Sequence, residues 1–378
     1  MAISSLTLTV LAGRTVPLPV PEPLVSRVQS VTITETDSER SAFSIVLDAG
    51  RSGPLAALDS PLVADPTFAM GARVVLMVTL GAVPTVLMDG IVTGSELTPG
   101  DGRKPATMEV KGEDVSYLLD QEEKDAEYPA LNDYLQVLAI LGPYAAQGIL
   151  PMAIPPTTLD QPLPTERIPT QHTTDLRHLV ALADRNGHVA YVIPGPVPGL
   201  SSFYWGPPVR VGVPQPALSV ALGAQSTVLT APTFRTDAVG PVQVAGSVQD
   251  PTSGQAVPVQ SRASLRPPLA AIPLASITPP ATRALRESGV GTTGALARAQ
   301  AGVDASADAV VGEGEVDGAR YGAVLRPRGL VGLRGAGWTY DGLWYVRSVV
   351  HDLAPGSYTQ KFVIAREGYG STVPAVIV

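Results

Sequence analysis

The side chains able to do chemistry are few in this chain, and they are scattered. Four histidines, His172, His178, His188 and His351, stand among 378 residues. His172 and His178 are six residues apart, which puts them on different faces of any shared helix, and no pair has the HExxH spacing of a zinc site. There is no cysteine, so disulfide frameworks and thiolate metal sites are excluded. Glu122, Glu123 and Asp125 cluster after a short helix. A glycosidase-type pair needs one carboxyl raised by an apolar or aromatic neighbour, and none stands nearby, so the cluster reads as a solvated helix end. GxSxG, Walker A and strand-to-helix GxGxxG patterns are all missing. Phe203-Tyr204-Trp205 could stack on bases or sugars, but without flanking basic residues it reads as hairpin packing. No catalytic, cofactor-binding or metal residue is nominated, and the chain is expected not to be an enzyme.

The elements that would position such residues are mostly strands. The 37 Gly and 37 Pro make up about a fifth of the chain, which suits many short strands joined by turns. The formal charge of −8 argues against a protein that grips nucleic acid by its phosphates. No apolar run approaches the roughly 18 residues that cross a bilayer, so membrane insertion is not expected. The first residues alternate Leu6, Leu8 and Val10 with Thr7 and Thr9, a strand pattern unlike a signal h-region, so a cytoplasmically made chain is expected.

Three blocks follow in order. Residues 1–118 hold five or six strands, with Val31 and Ile33, then Phe43, Ile45 and Leu47, alternating. Turns fall at Asp37–Arg40 and Gly100-Asp-Gly102, and Asp114 stands as an N-cap for a short helix. Residues 119–212 read as an α+β module. In it Leu131, Tyr134, Leu135, Leu138 and Leu141 recur at helical spacing and Gly142-Pro143 stops the helix; a second helix is capped by Thr174 or Asp175 and closed by Gly187. Residues 213–378 return to β, with a turn at Asp250-Pro251, a Pro-rich arm or loop at 254–290 and an Ala-rich helix at 295–310. Their last part, 320–368, reads as four compact strands. Asp341-Gly342 is the strongest hairpin signal there, Pro355-Gly356 makes the next turn, and Tyr358, Gln360, Phe362 and Ile364 share one face. The fold class expected is mainly β with an α+β insert.

Four stretches in this order resemble the phage late control protein D family, the baseplate hub of contractile tails, which also forms the hub region of VgrG spikes. They are Val28–Asp48 with the later GIVTGSELT; Val110–Glu123; Thr170–Gly206, with Gln171, Asp175-Leu176, Leu179, Leu182-Ala183, Gly187, Tyr191-Val192 and Tyr204-Trp205-Gly206; and the closing stretch, with Gly332, Asp341-Gly342, Tyr345-Val346, His351 and Gly356-x-Tyr358. The match spans about 340 residues and rests on the order of the stretches, since each is a degenerate strand pattern.

The resemblance implies two tail-tube-like β-barrels flanking the insert and a ring-shaped homotrimer. In such a ring six similar barrels meet a six-fold inner tube, or a tube-adaptor protein, above, and a three-fold spike docks below. Baseplate wedge proteins would be further partners, and the place of work would be a phage tail or tail-like injection particle. Because the sequence stops at Val378, soon after the meander, a separate spike protein is expected. The acidic balance suits a lumen through which cargo slides. Two other readings compete: a carbohydrate- or receptor-binding tail protein using Trp205, Trp338 and Trp344, and a cell-wall hydrolase using Glu122 or Glu123.

Overall fold

The computed structural model describes residues 6–14, 16–50, 62, 65–100, 105–157, 161–165, 167–220, 226–237, 239–249, 254–287 and 290–372. The turns expected at Gly100-Asp-Gly102 and Asp250-Pro251 rest on residues outside this set. The chain is mainly β. Thirteen strands form one hydrogen-bonded sheet that draws on both ends of the sequence.

Two sets of six strands can be followed along this sheet. The first, in spatial order, is Leu6–Gly13, Arg73–Leu80, Val83–Thr98, Thr107–Asp114, Ala42–Asp48 and Val28–Thr36. The second is Gln215–Ser219, Leu330–Arg334, Gly342–Ala354, Ser357–Arg366, Val310–Asp317 and Val228–Thr236. Leu18–Pro19 adds a short strand against Leu11 and Ala12. One antiparallel ladder, Val31–Thr36 against Ser348–Leu353, joins the two sets.

Period-2 alternation gives each set its own core. Ile33, Ile45, Leu47, Val74, Leu76 and Val110 are sealed in the first, and Val310, Val331, Leu333, Trp344, Phe362 and Ile364 in the second. Burying each of these large side chains contributes roughly 1.5–3 kcal/mol. The Pro355-Gly356 turn forms as expected, with Gly356 at φ +80. The hairpin it closes carries Leu353 and Tyr358 into the first core, while Val349, Phe362 and Ile364 lie in the second. The closing meander therefore seals both cores.

Backbone and ring press together at Gly112 in the first set. A Cβ there would lie 2.3 Å from Phe43 Cζ and 2.4 Å from the Ile91 carbonyl oxygen. Gly112→Ala is expected to destabilise the protein by about 3 kcal/mol through overpacking. A urea unfolding midpoint equal to that of the parent protein would contradict the tight contact.

The middle module places a three-stranded sheet, Ile149–Ala153, Ser201–Gly206 and Val189–Pro194, against the helices Asp133–Leu141 and Asp175–Asn186. Leu141, Leu179, Leu182, Phe203 and Trp205 are buried between them. Asn132 caps the first helix. Gly142-Pro143 ends its α-helical part, but the chain continues as a 3-10 turn through Gln147, because Pro143 sits where no N–H is required. Thr174 supplies the cap of the second helix, and Gly187, at φ +65, closes it. Asp114 caps the 3-10 helix Val115–Asp120, as its position suggested, and also accepts from the Ser41 amide.

Four expectations need correction. The stretch 254–290 is no plain arm: it holds Ala256–Ser261, Ala270–Pro273, the helical turn Leu274–Ile277 and Ala281–Ala284. Ala256–Ser261 and Ala281–Ala284 flank Val242–Gln249 in a separate sheet, and Val242, Val244 and Val259 pack on Ala295, Ala299 and Val303. The strands are too short for a readable period, and only the small helix face covers them. The Ala-rich helix runs Thr292–Ser306 and stops earlier than 310, since Val310 is needed by the main sheet opposite Arg366 and Thr236.

Three strands, not four, fill 320–368. Arg320 lies in the helical turn Gly318–Tyr321, and the fourth strand is Gly368–Ser371, paired with Ala270–Pro273. Asp341-Gly342 is not a two-residue hairpin. It ends a loop over 335–341 in which Gly335 and Gly337 take the left-handed turns, and Arg366 donates to the Thr339 and Asp341 carbonyls at 2.6 and 3.1 Å. Tertiary anchoring by Arg366, stacked 4.2 Å over Trp344, overrides the local turn preference.

Candidate functional site

The residues that could do chemistry do not converge. His172 is exposed and pairs with Asp125 at 2.5 Å. His178 is buried against Gln136 and stacks on Tyr128, and burial lowers its pKa. His188 sits edge-on to Trp205, with burial pushing it down to about 4. Glu123 and Asp125 lie on the exposed strand Glu123–Glu127. Trp205 and Trp344 are sealed in different cores while Trp338 is exposed, so no common platform exists. Among the described residues no group of three or more His, Asp or Glu could hold a metal ion. Nor is any helix there long and apolar enough to cross a membrane.

Gln171 and Asp175 of the third resembling stretch do meet. Gln171 Nε2 donates to Asp175 Oδ1 at 2.8 Å, and Asp175 Oδ2 accepts from Lys124 at 2.6 Å and Tyr144 at 2.7 Å. Gln171 Oε1 takes the Tyr128 hydroxyl at 2.5 Å. All the hydrogen-bonding capacity of this buried group is directed inward, so it organises the module core.

The fourth histidine marks the place where the molecule concentrates buried charge. His351 lies in the ladder that joins the two strand sets, opposite Ile33. Its Nε2 is 3.1 Å from Glu35 Oε2 and its Nδ1 is 2.9 Å from the Tyr358 hydroxyl. Arg326 reaches the same carboxylate at 3.1 and 3.2 Å and also donates to the Val86 and Leu87 carbonyls. Burial opposes ionisation of Glu35, but Arg326 foremost, then His351 and Arg328, bring its pKa to about 2. A carboxylate held so low and sealed at 2 % exposure has no proton to trade near neutral pH, so it is unsuited to general acid–base work.

Two residues on, Arg328 makes the complementary contact. Its guanidinium donates to Thr36 O at 2.7 Å in the first set, to Val192 O at 2.9 Å in the middle module and to Ser41 Oγ at 3.3 Å, and it lies 3.9 Å over the Tyr191 ring. Arg328 does this from φ +68, a left-handed conformation that costs a non-glycine residue about 1 kcal/mol or more. The segment carrying both arginines is held by two side-chain amides, the buried Gln360 and the partly buried Gln215. Gln215 bridges Arg326 N and O at 2.7 and 2.8 Å, and Gln360 bridges Leu325 N and Ala323 O at 2.7 and 2.9 Å. The strap 323–329 thus belongs to the second set by its backbone and Leu325, and to the first set and middle module by its arginine side chains. Arg73 repeats the theme: it forks onto Asp89 at 2.7 and 2.8 Å and reaches Gln147 O, while Ser201 donates to the same carboxylate.

The sequence singled out His351 only within a strand pattern. Glu35, Arg326 and Arg328 carried no motif. A Glu on the inward phase of an otherwise alternating strand, after Val31 and Ile33, was the one local clue.

No protein-family model matches this chain, and no curated protein matches it. Solved structures do. The 43 kDa tail protein of prophage MuSo2 from Shewanella oneidensis superposes with a TM-score of 0.65 at 15% identity, over 96% of this chain and 99% of that one. This is the fold of phage tail proteins. A tail protein from Neisseria meningitidis MC58 gives 0.63 at 10% identity, over 95% and 97% of the two chains. The E. coli c3393 protein is described as a type VI secretion component structurally similar to bacteriophage T4 tail proteins. It gives 0.53 at 13% identity, over 93% of this chain and 77% of that one.

Proposed function

We propose that this chain is the structural hub of a contractile phage tail or tail-like injection system, a homotrimeric ring between a six-fold inner tube and a three-fold spike. The observation that carries this reading is the pairing of two six-strand sets, each with its own core, on one continuous sheet within a tail-protein fold. Two barrel-like units per chain, at 1–118 and 213–378 with the module 119–212 between them, would let three chains offer six similar units to the tube.

The sheet path begins at Val228–Thr236 and ends at Leu6–Gly13 with Leu18–Pro19. Two different edges meeting head to tail between copies would build a closed ring. The role is structural and non-enzymatic, with spike, tube and wedge proteins as partners in the assembled particle. The −8 charge fits a conduit that does not retain cargo. The tryptophan-platform alternative loses its support, because Trp205 and Trp344 are core residues.

Mass photometry of the purified chain, alone and with the spike protein from the same particle, is expected to show a trimer. A stable dimer, or a chain that stays monomeric with the spike present, would rule the hub reading out. Deleting 254–290 would not be a clean test of trimerisation, because its strands flank Val242–Gln249 and Val259 packs with the Thr292–Ser306 helix.

A further inference from the structure

A cleft beside that helix carries charge the assembly reading does not use. It encloses about 160 Å3 between Val242, the segment 262–268, Pro273, Pro280 and the helix end at Val303–Ala307. Its walls are largely apolar, with five prolines, 241, 267, 268, 273 and 280. Three arginines line it: Arg210, Arg262 and Arg266.

Three carboxylates stand near them, each already engaged: Asp304 Oδ1 accepts from Ser264 Oγ, the Leu265 amide and Gln300 Nε2. Asp308 is taken by Arg210, whose side chain is only 2 % exposed. Glu367 lies 3.6 Å from Arg210, and its Oε1 accepts the Leu269 and Ala270 amides at 2.6 and 2.7 Å. Arg262 donates to the neutral Gln260 side chain. The Arg266 guanidinium, with 17 % of the side chain exposed, has Asp308 no nearer than 3.9 Å and no hydrogen-bond acceptor among the described residues. Burial, and then the like charge of Arg210, push its pKa down. A guanidinium presents five N–H donors in a fixed fork that matches an oxyanion. Leaving them unmet in a mostly buried position is costly. Arg210 Nε, Asp308 Oδ1 and Glu367 Oε2 also lack hydrogen-bond partners among the described residues, so the cleft has unfilled polar positions beside its apolar wall.

We propose that this cleft is a binding site for a small carboxylate with a short hydrocarbon part: the Arg266 fork takes the carboxylate, Arg262 stands at the mouth, and the proline wall takes the hydrocarbon. The carboxylate can belong to a free acid or to a side chain offered by a neighbouring protein. The prolines supply no backbone N–H, and the Ser264 and Ser306 hydroxyls already donate to Asp304 and to the Val303 carbonyl, so the arginines are the charged donors that select the ligand. The site is independent of the hub reading, since no residue in it takes part in the junction of the two strand sets.

Butyrate, acetate and inorganic phosphate, titrated into the purified full chain at constant ionic strength, test the site by ligand-observed NMR and thermal shift. Butyrate is expected to bind saturably with a millimolar dissociation constant, acetate several-fold more weakly, and Arg266→Gln to weaken butyrate by about tenfold or more. Arg266→Gln should fold, because the guanidinium makes no hydrogen bond to lose. Arg262→Gln, at the cleft mouth, is a second variant expected to weaken binding by a smaller factor. Butyrate behaving like chloride, phosphate binding more tightly than butyrate, or equal binding by the parent and both variants would overturn the assignment. If butyrate binds as expected, an acetylated glutamate amide competing for the same site would point to a protein side chain as the source. Failure to compete would leave the free acid.

Discussion

Arg328→Ala is expected to cost about 3–5 kcal/mol of stability and to loosen the middle module from the two strand sets. The substitution removes three hydrogen bonds and the contact over Tyr191, and it leaves the Thr36 and Val192 carbonyls without a donor inside the molecule. Alanine would still have to occupy φ +68, so the backbone strain stays while the contacts that offset it go. Arg328→Gly separates these effects: it relieves the strain and loses the same contacts, so it should be the milder variant by up to about 1 kcal/mol.

Hydrogen exchange reads the localisation. Protection should fall first in Val189–Pro194, which carries the Val192 acceptor, and less in the Asp175–Asn186 helix. Uniform loss of protection across the whole chain would show that Arg328 is only one more core contact and not the tie between modules. Arg328→Lys keeps the charge without the fork and should recover little, because the contacts diverge to three acceptors.

The second large effect is acid sensitivity set by Glu35. Its folded pKa of about 2 lies below the ordinary 4.5, so its ionised form stabilises the fold. That contribution is complete above about pH 4.5 and is lost as pH falls from there towards 2, at a scale of about 3 kcal/mol. Glu35→Gln keeps the shape and an acceptor while removing the titration. It should be less stable than the parent at pH 7, since Arg326 and His351 lose their charge partner, and the gap should narrow as the pH drops to 3. Parallel stability–pH curves for parent and variant would assign the acid sensitivity elsewhere. Glu35→Ala should cost about 3 kcal/mol at pH 7, because the sealed His351 and the partly buried Arg326 lose their carboxylate partner.

Much of the fold was legible because strands with one buried face write their period into the sequence. Phe43, Ile45 and Leu47, and Tyr358, Gln360, Phe362 and Ile364, face inward as their alternation required. Helix ends were equally local, with Asp114 and Gly187 doing what those residue types do at those positions. The stretch 254–290 failed because short strands of four to six residues carry too few contrasts to show a period. Asp341-Gly342 misled because a turn's local preference is worth little against Arg366 pulling the loop carbonyls inward.

The candidate junction was illegible for a different reason. Glu35 meets Arg326 and His351 across most of the chain length, and a single glutamate on an inward strand phase does not say which cation will neutralise it. Gln215 and Gln360 likewise look like ordinary polar residues until the strap they hold is in place.

By itself the sequence determined the local order: inward and outward faces, helix caps, the Pro355-Gly356 turn, and a β–α+β–β succession. Those properties depend on neighbours a few residues apart. Only the tertiary structure decided that both β regions share one sheet through Val31–Thr36 and Ser348–Leu353, that the closing meander seals two cores, and that Arg326 and Arg328 tie three parts together. These depend on which buried charges and edges find each other over hundreds of residues, and that pairing is a property of the folded whole.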